Sequence, residues 1–375
     1  LPLIFVASVH LDQLFSSKKY YAVSHCTTNW TWFERLRHEL CFGTKHARLS
    51  ALVLYDLHIG EQRISVFEYS FVNYSFGWIH EFQMASALQL SYSLLRSKDP
   101  LLKCSMILCH GLFGSKQNWK TMSHALHKKR CGSICTLDLR NHGRSPHSSE
   151  MSYIQMASDV IQLANTLSLE DICLVGHSMG GKVAMCAALL KPEKFQKLVV
   201  IDSCPVFSHG AHGMMSHLRL MIETDLYRAE RESDGSLADI RGYLMDAWKE
   251  AVPNEVVRQF LLTNLELNGH EFAWRVNLKG IEECWPQIVG FPDSDLFGRT
   301  YRGPTLFVAG GKSEHIKYSN IPAIKNYFPQ ARIVRVSNAG HWVHVDAPHT
   351  VLSLLTAFVK GPAEQLSLEG IEEMD

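Results

Sequence analysis

The sequence has no run of about 18 uncharged apolar residues, so a membrane-spanning helix is not expected. It has no charge imbalance either. Thirty-seven Lys and Arg face 37 Asp and Glu, which leaves no global attraction to nucleic acid or an anionic membrane. Ten cysteines in 375 residues are too sparse for a disulfide scaffold, and none forms C-x-x-C. A reducing compartment is the default. No Walker A or dinucleotide fingerprint occurs. The apolar stretch Leu1–Leu11 lacks a basic flank and reads poorly as a secretory signal. What the chain does have is apolar material. Hydrophobic residues make up 46% and charged residues 20%, a globular balance that excludes a mainly disordered or fibrous chain.

Residues 1–85 show no clear helical or strand period. Trp30, Trp32 and Trp78 are scattered there. The sequons at Asn29 and Asn73 read as chance matches in a non-secreted chain. This segment is an unassigned N-terminal extension. From about Leu88, short runs rich in Ile, Val and Leu alternate with helical-period segments. Ser105–Cys109, Ser133–Leu137, Ile172–Val175, Leu198–Ile201, Thr305–Ala309 and Ile333–Val336 read as strands. Gln117–Arg130, Met151–Ser168, Met179–Leu190, Ile321–Phe328 and Thr350–Val359 read as helices. Apolar strands alternating with helices predict a mostly parallel central sheet covered on both faces.

The alternation breaks between Pro205 and Gly303. Leu218–Glu223, Leu237–Lys249 and Val256–Leu265 read there as helices. A helical insertion of this kind forms a cap over the C-terminal ends of the strands, where open α/β sheets bind ligands. The expected division is an extension at 1–85, an α/β core at 86–204, a helical cap at 205–303, the rest of the core at 304–360, and a solvated acidic tail at 361–375.

The chemistry concentrates at strand ends. Gly176-His177-Ser178-Met179-Gly180 lies between a strand and a helix, the context that makes G-x-S-x-G a nucleophile elbow. A serine hydroxyl needs a base within hydrogen-bond reach. His341, in Asn338-Ala339-Gly340-His341-Trp342, follows the last apolar strand and is favoured over His344 and His349. The acid that orients it is expected between serine and histidine in chain order. Asp202, ending the strand Leu198–Ile201, is favoured, with Glu314 in Gly310-Gly311-Lys312-Ser313-Glu314 as the alternative. Acyl transfer also needs two backbone donors for a developing oxyanion. Met179 follows the nucleophile. Leu112, in His110-Gly111-Leu112-Phe113-Gly114, is the expected second donor, with Phe113 as its neighbour. The segment Asp138–Ser145 is expected to brace the turn beneath the site. His209, His212 and His217 lack a completing ligand at convincing spacing, so no metal is expected. Met214, Met215, Met221 and Trp248 are candidate lining residues of the cap.

These motifs together resemble the α/β-hydrolase fold, and more closely the alpha/beta hydrolase domain-containing protein 11 group and related bacterial esterases. The resemblance rests on HGLFGS (110–115), NHGRSP (141–146), GHSMGGK (176–182), WRVNL (274–278), PTLFVAGG (304–311) and AGHWVH (339–344). It implies a cap inserted after the sixth strand. It also implies a serine carboxylesterase acting on acyl esters, with acylglycerol-type lipids as substrates of animal members, no cofactor, and a mitochondrial or otherwise cytoplasmic location. Bacterial members place the acid where Asp202 stands. An aspartate assigned in animal members aligns with Lys279, which cannot serve. Two other readings stay open: a thioesterase or acyltransferase on the same triad, and a largely non-catalytic partner-binding protein.

Overall fold

The computed structural model describes residues 19–23, 50–59, 62–71, 87–99, 101–207, 211–361 and 371–374. The sequons and the tryptophans at 30, 32 and 78 lie outside them. The chain divides into two units, Leu1–Gln83 and Met84–Asp375. In the first, β1 (Lys19–Val23), β2 (Ser50–Ile59) and β3 (Gln62–Phe71) form an antiparallel sheet in the order β1-β3-β2.

The second unit is built on an eight-stranded sheet. Its strands are β4 (Tyr92–Leu95), β5 (Ser105–Cys109), β6 (Ser133–Leu137), β7 (Ile172–His177), β8 (Phe195–Ile201), β11 (Thr305–Gly310), β12 (Ala331–Val336) and β13 (Ile371–Glu373). The remaining pair, β9 (Leu265–Asn268) and β10 (Glu271–Trp274), is a separate hairpin. The order in the large sheet is β13-β12-β11-β8-β7-β5-β6-β4. The six central strands run parallel, and β4 and β13 close the two edges antiparallel.

Side chains alternate across the pleat, and this sheet buries both sets. Ile107, Leu174, Val200 and Phe307 point into one cluster with α2 (Tyr153–Thr166) and α3 (Met179–Leu190). Met106, Val175, Val199 and Leu306 point into the other with α1 (Lys120–Lys128) and α12 (Pro348–Lys360). Two-sided burial is why these strands read as unbroken apolar runs. The expected helix Met151–Ser168 starts two residues later, because Ser152 caps it and Gln155 returns the bond to the cap backbone.

The chain departs from the sheet after β8 and returns at β11. The sequence reading counts β8 as sixth; five strands of the large sheet are described up to that point. The cap holds α4 (Ala211–Glu223), α5 (Leu226–Arg231), α6 (Leu237–Ala247), α7 (Glu255–Leu262), the β9–β10 hairpin, α8 (Leu278–Glu283) and α9 (Trp285–Val289). The hairpin is a difference from the all-helical expectation. Val256–Leu265 does not continue as helix to Leu265. Asn264 leaves the ladder and the chain doubles back through Gly269, whose φ is 65°.

After the cap come α10 (Ile321–Tyr327), on the α2 face, and α11 (Val343–Asp346), ahead of α12. The acidic tail is not simply solvated. Its end adds β13 to the sheet, with Glu372 and Glu373 exposed, Glu373 paired with Arg332, and Met374 buried.

Order reverses between β5 and β7: β5 connects outward to β6, whereas β7 leads the other way through β8, β11 and β12. Such a reversal opens a crevice beyond the strand ends. Cys109 at the end of β5 pairs with Gly176 near the end of β7, so the loops that follow these strands emerge side by side.

Candidate active site

Ser178 sits between β7 and α3 at φ 53° and ψ −119°, a backbone region that side-chain-bearing residues rarely adopt. The strain needs room on both sides. A Cβ on Gly176 would lie 2.1 Å from the Gly180 carbonyl oxygen, and one on Gly180 would lie 2.5 Å from that of His110. Ser178 occupies the N-cap position of α3, yet its side chain makes no capping bond. Its Oγ instead stands 3.0 Å from His341 Nε2.

His341 reaches Ser178 from the loop after β12. The His177 ring Nε2–H donates to the His341 carbonyl oxygen at 2.9 Å, and Asp346 accepts from Gly340 N–H at 2.7 Å. These bonds fix the loop on both sides of the His341 ring. His341 Nδ1–H donates to Asp202 Oδ2 at 2.6 Å. His344 is buried behind this group, stacked on Trp119, and His349 is exposed at the start of α12. Neither reaches the serine.

Asp202 is fully buried at the end of β8. Ser313 O–H donates to its Oδ2 at 2.5 Å and Gly310 N–H to its Oδ1 at 3.0 Å. A Cβ on Gly310 would meet the Gly340 carbonyl oxygen at 2.2 Å, so the acid's donor and the histidine loop are packed backbone to backbone. Glu314 is turned to solvent and pairs with Lys317 at 2.6 Å. Lys279 is likewise exposed. Among the described residues, Asp202 is the carboxylate that reaches His341.

Burial sets the protonation states. It holds the His341 imidazolium down to about 4, reinforced by His344. It raises the Asp202 carboxyl to about 6, against the donors Ser313 and Gly310 and the nearby His315. At neutral pH the pair is a carboxylate beside a neutral imidazole, with Nδ1–H aimed at the carboxylate and Nε2 free to accept from the serine.

The loop after β5 is braced by two more buried histidines. His110 Nε2 accepts from Leu139 N–H at 3.0 Å while its Nδ1–H donates to Gly111 O. His142 Nε2 accepts from Phe113 N–H at 3.1 Å while its Nδ1–H donates to Arg140 O. Asn264, from the cap, donates to Phe113 O at 2.8 Å. Phe113 N–H is therefore occupied. Among the described residues, the N–H groups of Leu112 and Met179 donate to no protein acceptor. Asp138–Ser145 braces as expected. Lys116 pairs with Asp138, Arg140 grips buried Asp159 at 2.7 and 2.8 Å, and Ser145 returns to Asp138 O.

A small cavity of about 30 Å³ opens at Ser178, bounded by Gly111, Leu112, Met214, Phe260 and Trp342. Of the four candidate lining residues, Met214 borders it. Met221 and Trp248 are buried in the cap, Trp248 stacked on Trp274, and Met215 packs partly buried against the core. A larger cleft of about 420 Å³, bounded by Lys129, Thr356 and Lys360, contains none of these groups.

Sequence reasoning missed His315 and Ser313. His315 stacks on His341 at 3.8 Å with 16° between the planes, and its Nδ1 is 3.1 Å from Ser313 Oγ. Asp202, His315 and His341 are a possible metal-ligating trio by composition. Their geometry opposes it. In the neutral site both Nδ1 atoms carry protons, directed at Asp202 and at Ser313, so neither offers a lone pair to an ion. His209 lies outside the described residues, as does the side chain of His212, and His217 is partly buried without a partner at Nδ1.

Known proteins resemble this chain closely. The alpha/beta hydrolase fold family matches residues 105–348. The sn-1-specific diacylglycerol lipase ABHD11 of Danio rerio is 36% identical over 276 residues, covering 74% of this chain and 84% of that protein. Esterase YbfF of Escherichia coli is 30% identical over 254 residues, covering 68% of this chain and 92% of that one. A solved marine microorganism esterase superposes with a TM-score of 0.63 at 30% identity, covering 71% of this chain and 98% of its own.

Proposed function

The chain belongs to the α/β-hydrolase family as a serine hydrolase of esters, and from that premise we propose that it works through Ser178, His341 and Asp202 by an acyl-enzyme. The observation that carries this reading is one unbroken line of hydrogen bonds: Ser178 Oγ to His341 Nε2 at 3.0 Å, then His341 Nδ1 to Asp202 at 2.6 Å.

Ser178 Oγ attacks the ester carbonyl as His341 takes its proton. The carbonyl π electrons move onto oxygen. Leu112 and Met179 N–H groups hold that oxyanion, a contribution of roughly 10²- to 10³-fold per donor. The tetrahedral centre collapses, the C–O bond to the alcohol breaks, and His341 returns the proton to the leaving oxygen. Water then repeats the sequence on the acyl-enzyme. Asp202 keeps the imidazole in the Nδ1–H tautomer and stabilises the imidazolium. Apart from the ester and water, every step uses groups of the chain itself.

The substrate is an acyl ester seated between the elbow and the cap. Acylglycerol-type lipids are the class suggested by the diacylglycerol lipase relative, and a mitochondrial location rests on resemblance alone. Ser178→Ala should abolish labelling by a fluorophosphonate and turnover of p-nitrophenyl esters. Persistent labelling removes Ser178 as nucleophile. Product formed from an added alcohol in competition with water would assign acyl transfer to the same triad.

A further inference from the structure

The two hydrogen bonds of His341 leave one freedom open. They act at Nδ1 and Nε2 in the plane of the ring, so resistance to tilting out of that plane falls mainly to contacts on its faces. A face contact supplies that restraint. The His315 ring lies parallel to the His341 ring at 3.8 Å, with 16° between the planes. His177, also beside His341, is 4.8 Å away and tilted by 43°, which makes it no comparable platform.

His315 is itself tied to the triad. Its Nδ1–H points at Ser313 Oγ, 3.1 Å away, and the Ser313 hydroxyl donates to Asp202 Oδ2. Cys204 Sγ bonds the His315 carbonyl oxygen at 3.0 Å. The stacked ring is thus indexed to the same carboxylate as the base. We propose that His315 is a positioning residue, the flat support against which His341 is oriented and on whose face it becomes an imidazolium. The inference rests on the triad reading above.

The chemistry suits the task. A cation over an aromatic face is stabilised by the ring electrons, provided the ring carries no charge itself. Burial and the adjoining His341 hold His315 down to about 4. The groups that face it are Asp202, His341, Lys182 and Cys204; Glu314 and Lys317, on its own segment, pair with each other at the surface.

The test is steady-state kinetics at pH 8 on His315→Ala, His315→Phe and His315→Gln, with melting curves to confirm folding. His315→Ala should lose about three- to tenfold in kcat, the range that stacking and cation–π contacts supply, with KM within about twofold. His315→Phe keeps a flat ring and should recover kcat to within about twofold of wild type. His315→Gln can still reach Ser313 but offers no ring, and should behave like Ala. If Ala does not fold, the contrast between Phe and Gln carries the same information. Wild-type kcat in the ringless variants, or Phe as impaired as Gln, overturns the proposal. Ser178→Ala, assayed alongside, separates the two readings. Turnover surviving in it defeats the triad, whereas an inactive Ser178→Ala beside unaffected His315 variants defeats only the role of His315.

Discussion

Lowering the pH from 7.5 to 5.5 should destabilise the second unit through its buried histidines. His110, His142, His177, His217, His315, His341 and His344 are all shifted down by burial. In the unfolded chain each takes a proton near 6.5. Between 6.5 and the folded value the unfolded state binds more protons, so stability falls as pH falls. His142 is held to about 3 and His315 to about 4. At pH 5.5 each then contributes about 1.4 kcal/mol of lost stability. His341, at about 4, adds a similar loss, but Asp202 acts in the opposite sense. Its carboxyl is raised to about 6, so the folded state gains protons there, and the gain of about 0.8 kcal/mol offsets somewhat more than half of the His341 loss. His142 and His315 alone give about 3 kcal/mol, a large part of the roughly 5–15 kcal/mol that holds a native domain together. Urea unfolding at pH 7.5, 6.5 and 5.5 measures it. Stability that is flat, or rises, toward pH 5.5 refutes the assignment of these histidines as neutral.

Three further outcomes follow from the site. The acid limb of kcat/KM should fall as the Asp202–His341 pair takes up a proton, with an apparent pKa between about 4 and 6; a limb centred at 6.5 or above contradicts the burial argument. Asp202→Asn should lower kcat by roughly 10³- to 10⁴-fold through the wrong imidazole tautomer, while Glu314→Ala, at the surface, should stay within about twofold; the reverse pattern would exchange their roles. Phe260 and Trp342 meet at 5.4 Å across the cavity, so Phe260→Ala and Trp342→Ala should each raise the turnover of octanoyl relative to acetyl esters at least about threefold, read from p-nitrophenyl ester series.

Much of the fold is legible in the sequence because the central strands are buried on both sides and therefore uniformly apolar. β4 escaped notice for the opposite reason: as an edge strand it exposes Tyr92 and Ser93 and carries no such run. The β9–β10 hairpin was signalled by Asn268-Gly269, a strong short-range turn signature, but its strands have four residues each, too few for a period. Ser178 and His341 were readable from local context. Asp202 was readable as a strand end. The choice between Leu112 and Phe113 was not, because what distinguishes them is His142, 29 residues downstream of Phe113. His315 gave no signal, since its relation to His341 exists only once β11 and β12 lie side by side.

The exit from β8 and the return at β11 are neighbours. Leu198–Ile201 pair residue for residue with Thr305–Val308, so the strands that carry the proposed triad keep their register within the sheet. Ser178 and Asp202 precede the excursion and His341 follows it. Lengthening such an excursion costs only about 0.6 kcal/mol per doubling. The architecture therefore behaves like a socket: one reaction centre, wired through the sheet, that can accept differently shaped covers and with them different cargo, while the chemistry beneath stays the same.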